Sequence, residues 1–179
     1  LKKTKENLYY ILSALMIGLI VGGIDALFGR VLIAITDFRG RYIQIFIWFL
    51  PIAGLFICWM YHRFNEMSLK GMTLVLETAQ GKRADIPLAL VPLVMVGTWI
   101  THLFGGSAGR EGVAVQIGAT LSHWFARRFK FADNRTILLI AGMAAGFGGL
   151  FQTPFAAVFF AMEVVVTGKM LYQAFLPSL

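Results

Sequence analysis

Glu111 sits in an unusual setting. It follows Gly105-Gly106-Ser107-Ala108-Gly109-Arg110 and precedes Gly112, and an apolar stretch from Val113 to Phe129 begins at once. A helix starting here leaves its first N–H groups unpaired and carries a partial positive charge at that end. Glycines let the backbone approach a bound group closely. The combination reads as an anion site. A carboxylate in that place can fill the site itself, and its protonation would release the site to a true anion. Glu111 would then be both gate and proton carrier. A plainer reading has Glu111 capping the helix or pairing with Arg110. In a membrane interior an ionisable residue is a functional candidate by default.

Gly71-Met72 precedes a short half-polar stretch, 72–80. A second helix start could aim at the same ion, as discontinuous helices do in transporters, although Met is more often a packing residue. Glu163 lies in an apolar stretch and faces either water or a partner. His62, His102 and His123 lack metal-ligand spacing and read as interfacial or packing residues. Cys58 has no second cysteine to pair with. There is no nucleophile–base pair, and the glycine-rich segment 105–112 lacks the Lys-Ser/Thr ending of a phosphate loop. Neither enzyme chemistry nor a cofactor or metal is expected.

These residues need elements to hold them, and the composition says where. The chain has 179 residues, 58% hydrophobic and 14% charged, with 16 Phe, 8 Met and 4 Trp; its mean hydropathy is +0.74. A soluble domain is about 25% charged, so an all-α integral membrane protein is expected, a single transmembrane domain over 1–179. A span takes about 20 apolar residues, which allows about six membrane elements and no soluble domain. The net charge of +7 comes from Lys and Arg flanking apolar runs. Lipid headgroups are the expected partner, and nucleic acid is not, because no basic–aromatic strip is present.

Apolar patterning predicts helices over 8–27, 42–61, 72–80, 86–104, 113–129, 137–150 and 155–166. Lys2, Lys3 and Lys5 put the N-terminus on the cytoplasmic side, and the first run is too long for a signal peptide. Asp25 and Arg30 are expected to end the first helix and to pair. Residues 81–85 form a turn, Pro154 breaks the chain, and the Gly/Ala-rich run 142–149 is a close-packing face. Arg39 and Arg41 disturb a simple positive-inside topology. Broken or re-entrant helices would resolve this, and such backbone occurs at membrane depth only where protein buries it or a cavity adjoins it. The chain stops just after a new apolar stretch begins, which reads as a piece of a longer protein.

The segment Gly109-Arg110-Glu111-Gly112-Val113-Ala114-Val115-Gln116-Ile117-Gly118 resembles the G-[KR]-E-G-x-x-x-Q-I-G signature of CLC anion channels and anion/proton antiporters. The segment from Ala141 to Glu163, with its small residues, Pro154 and terminal Glu, is similar to the segment after that signature in the same family. The resemblance implies a CLC-type fold with broken helices and two inverted-topology halves per subunit, this chain matching the first. It implies a homodimer with one pore per subunit, multi-pass in the cell membrane. It places Glu111 on the gating glutamate, and Gly109, Arg110, Gly112 and Val113 on the helix start facing the anion. Gly71-Met72 falls where chloride- and nitrate-handling members carry G-S-G-I-P or G-P-G-I-P. Met72 replaces Ser or Pro, Val113 replaces the usual Pro, and Val164 stands where chloride/proton exchangers carry an internal glutamate. All three departures resemble the fluoride-exporting branch. The expected activity is fluoride/proton antiport, with a chloride channel or chloride/proton exchanger as the alternative. A scaffold without transport is a third reading and requires Glu111 sealed in a pair with Arg110.

Overall fold

The computed structural model describes residues 2–82, 85–129, 135–165 and 171–179, with side chains from residue 11 onward. Arg83, Ala84, Lys130 and Val166 from the predicted segments, and the side chains of Lys2, Lys3 and Lys5, lie outside the described residues. Among the described residues there are helices and no strands.

Helix α1 spans Lys2–Phe46 and kinks at Tyr42. The expected stop near Leu27 does not occur. No proline or helix-capping turn comes after Asp25, and a charged side chain alone does not end a helix. Nor does Asp25 pair with Arg30: both carboxylate oxygens of Asp25 lack a partner. Five residues turn a helix by about 500°, which puts the two side chains on different faces. A 3₁₀ turn at Ile47–Phe49 leads into α2, Leu50–Phe64, with Pro51 in its first turn. There the missing proline N–H costs nothing. The second predicted run is thus divided before Pro51.

Four shorter helices carry the predicted site or pack around it. They are α3 (Met72–Ala79), α4 (Leu90–Leu103), α5 (Arg110–Arg128) and α6 (Arg135–Phe151). Then α7 (Pro154–Val164) restarts the chain after the break, and α8 (Phe175–Ser178) is a single turn. At 1.5 Å per residue, α3, α4 and α7 reach about 12, 21 and 16 Å, short of a hydrocarbon core of about 30 Å. The expectation of broken helices is met in these lengths.

The centre of the fold is the α5–α6 pair. A Cβ built on Gly118 would lie 1.9 Å from the Gly142 carbonyl oxygen, and one on Gly146 would lie 2.1 Å from that of Ala114. These two contacts fix an antiparallel crossing in which only glycine fits. The predicted packing face is confirmed for Gly142 and Gly146. Leu74, Val75, Leu90, Val115, Leu139, Met143 and Met162 close the core around this pair.

Arg39, the residue at odds with simple topology, lies within α1 and donates from Nη1 to the His102 carbonyl at 3.2 Å. It adds a charged donor to a carbonyl at the C-terminus of α4 that also accepts from the Gly105 N–H at 3.2 Å, a place where a cation is favoured. Large apolar side chains cover the outside: Leu19 is 78% and Trp48 81% exposed, with Leu12, Leu15, Ile33 and Leu55 also exposed. Such a surface fits lipid or further protein, not water.

Candidate functional site

The segment before α5 is built from positions where glycine is required. Gly105 has φ +85°, and a Cβ on it would lie 2.8 Å from Ile43 Cδ1. A Cβ on Gly106 would lie 2.8 Å from Thr101 Cγ2. The loop is therefore pressed onto α1, α2 and α4. Gly109 then serves as N-cap in extended conformation, with no side chain capping the helix. The first N–H groups of α5 are left open.

Helix α5 starts at Arg110, three residues before the predicted Val113. Glu111 accordingly lies in the first turn. Its carboxylate folds back over the helix end, with Oε2 3.3 Å from the place a Cβ on Gly109 would occupy. Arg110 and Glu111 are both exposed, and among the described residues no ion pair joins them. Arg110 points instead toward a groove shared with Leu32, Thr36, Asp37 and His102. The sealed pair required by the scaffold reading is therefore not formed.

Gly71 caps α3 with φ +49° and ψ −122°, a conformation suited to glycine. This brings the N-terminus of α3 against α5. The contact is Gln116: its Oε1 is 3.4 Å from the place of a Cβ on Gly71, and its Nε2 is 3.8 Å from that place on Gly112. One carboxamide thus spans two helix N-termini. Gln116 is 8% exposed, and its Oε1 is buried with no hydrogen-bond partner. Sequence reasoning gives Gln116 no role. A signal was present, because four-residue spacing sets Gln116 over Gly112 on one face of α5. The approach of Gly71 needs the tertiary fold.

The remaining predicted site residues separate. Met72 is half-buried and packs against the main core, in keeping with a packing role. The Val113 side chain is buried in a cluster with Phe28, Leu32 and Val91, so only its backbone can face the helix end. Glu163 is exposed near the end of α7, and Val164 packs on the main core. His62 and His102 donate Nδ1–H to the Cys58 and Thr98 carbonyls at 2.8 and 2.9 Å. His123 Nε2 lies 3.3 Å from Asp85 Oδ1, and Arg127 also pairs with Asp85. Among the described residues no group of three or more metal-ligating side chains occurs.

Residues 53–179 match the family described as "Voltage gated chloride channel". A "Chloride/fluoride channel protein" of Pseudomonas syringae pv. tomato is 36% identical over 163 residues, covering 90% of this chain and 36% of that one. An "H(+)/Cl(-) exchange transporter ClcA" of Vibrio cholerae is 25% identical, over 91% of this chain and 38% of its own length. A crystal structure of a CLC-type fluoride/proton antiporter superposes with a TM-score of 0.94 at 46% identity, covering 97% of this chain and 44% of that one. The chain thus spans 36–44% of the length of these relatives.

Proposed function

The chain belongs to the voltage gated chloride channel (CLC) family, and from that premise we propose that it is the first half of a fluoride/proton antiporter subunit. The fold is all-helical, of CLC type, and integral to the membrane. The full protein exports fluoride in exchange for protons, as a homodimer in the cell membrane.

One observation carries this reading: the Glu111 carboxylate, in no ion pair among the described residues, lies over the open N-terminus of α5. When ionised, it occupies the N–H groups and partial positive charge that an anion would use. When protonated, it loses that attraction and leaves them to the anion. Carboxylate and anion thus compete for one place, and each vacancy left by the carboxylate carries a proton. Backbone groups at Gly109, Arg110, Gly112 and Val113 are the α5 contribution to anion binding. Gly71 and Met72 are the α3 contribution, and the Gln116 carboxamide lies between the two helix ends. Arg110 adds positive charge at the mouth. No cofactor or metal is needed for this cycle.

Similarity to the fluoride/proton antiporter, at 46% identity, favours fluoride over chloride. The chloride reading keeps a specific support in the match to the Vibrio cholerae exchanger. Flux from liposomes containing the full-length protein separates them. Fluoride efflux coupled to proton uptake, with chloride excluded, is expected. Equal chloride flux would establish the chloride reading, and the absence of any anion flux the scaffold.

A further inference from the structure

Asp25 lies midway along α1 with its carboxyl sealed. It is 1% exposed, and both Oδ1 and Oδ2 are buried without a hydrogen-bond partner. Neither water nor a protein segment outside this chain can reach atoms already covered in this way. A Cβ on Gly149 would lie 3.6 Å from Asp25 Oδ2 and 3.6 Å from the Gly22 Cα, so α1 and α6 cross closely at this point.

Gly149 belongs to the last turn of α6. The last bond there runs from the Gln152 N–H to the Gly148 carbonyl at 2.8 Å, and the carbonyls beyond it receive no backbone hydrogen bond among the described residues. Gln152 then turns with φ +56°, and α7 begins at Pro154, which has no N–H to offer. The end of α6 therefore presents bare carbonyl oxygens and a partial negative charge.

An ionised Asp25 would be opposed three times over. It would be a buried charge without solvent. It would have no counter-charge, because no ion pair reaches it from α1, α4, α5, α6 or α8 among the described residues, and Arg30 on its own helix is exposed. It would also face the negative end of a helix. A neutral carboxyl reverses the last of these, because its O–H can donate to one of the open carbonyls.

We propose that Asp25 is a second proton-binding site, a resident carboxylic acid that donates its O–H to the carbonyl end of α6 and clamps α1 to the α6–α7 break. This proton stays in place while Glu111 exchanges its own. The site stands independently of the anion carried.

Infrared spectroscopy of the full-length protein in liposomes at pH 7, with aspartate labelled at the side-chain carboxyl carbon, tests this. A protonated-carboxyl C=O band that shifts with the label, persists in Glu111→Gln and is lost in Asp25→Asn is expected. Absence of the band, or its survival in Asp25→Asn, would overturn the proposal. Should Asp25→Asn fail to assemble, Asp25→Glu must move the band from the aspartate label to a glutamate label. A folded Asp25→Asn keeps an N–H donor and is expected to keep proton-coupled flux. Loss of coupling there would mean that the proton travels, and would refute the clamp.

Discussion

The Gln116 carboxamide occupies the space beside Gly71, its Oε1 resting 3.4 Å from where a Gly71 side chain would begin. A residue two turns into α5 thus meets the cap of α3. Replacing Gln116 with Met keeps its bulk and removes its donors and acceptor. Its Oε1 makes no hydrogen bond within the described residues, so what is lost is a polar group free to meet the anion between the two helix ends, worth about 1 kcal/mol. KM for the transported anion is therefore expected to rise about five- to tenfold, with the maximal rate changed much less, measured by initial flux from liposomes. An equal fall in rate at unchanged KM would argue against a role at the anion site.

Gly71 itself is constrained by its backbone. Its φ of +49° and ψ of −122° lie where a residue with a Cβ is strained. Gly71→Ala is expected to lose about 1–3 kcal/mol of stability. The Gln116 contact alone would accept the methyl group, so an unchanged Tm would show that the backbone at Gly71 differs from that described.

The α5–α6 crossing gives a sharper case. In Gly118→Ala the new methyl group meets the backbone of Gly142 at 1.9 Å, which no side-chain rotation can relieve. A loss of about 3 kcal/mol or more is expected. Gly54→Ala is the control, because nothing lies within 4 Å of that position. There the helix is expected to hold or gain about 0.5–1 kcal/mol. Thermal unfolding of both variants in one detergent makes the comparison.

How far the sequence discloses this fold depends on the range of each interaction. The packing of Gly142 and Gly146 is readable, because small residues at helical spacing permit close approach whatever the partner. The break at Pro154 is readable because proline acts locally. The start of α5 is read three residues late, since Gly112 resembles loop although it lies within the first turn. The length of α1 is misjudged for the opposite reason: Asp25, Arg30 and Arg39 mark no boundary, each being accommodated by a neighbouring helix or by the surface. Gln116 is hidden because its partner, Gly71, lies 45 positions away in sequence. Glu111 stands out from sequence because glycine, charge and a helix start coincide within a few residues.

Asp85 ties the connection after α3 to the end of α5. Burial alone would raise its pKa. The hydrogen bond and charge of Arg127, and then those of His123, outweigh this and hold it below the ordinary 3.8. Folding thus favours the ionised form. Its stabilisation is complete at neutral pH and is lost as pH falls through the acid range below 3.8. Asp85→Asn is expected to lower Tm slightly at pH 7, both ion-pair side chains being about half exposed. The difference from wild type should close as pH is lowered below that value. A difference that widens in acid would contradict the sign.

Proton and anion flux recorded together from liposomes containing full-length Glu111→Gln test the central claim most directly. The amide has nearly the shape of a protonated carboxyl and cannot release a proton. Proton movement against an anion gradient is expected to fall to background, while wild type moves protons in step with the anion. Proton coupling retained at the wild-type ratio would contradict the assignment of Glu111 as gate and proton carrier.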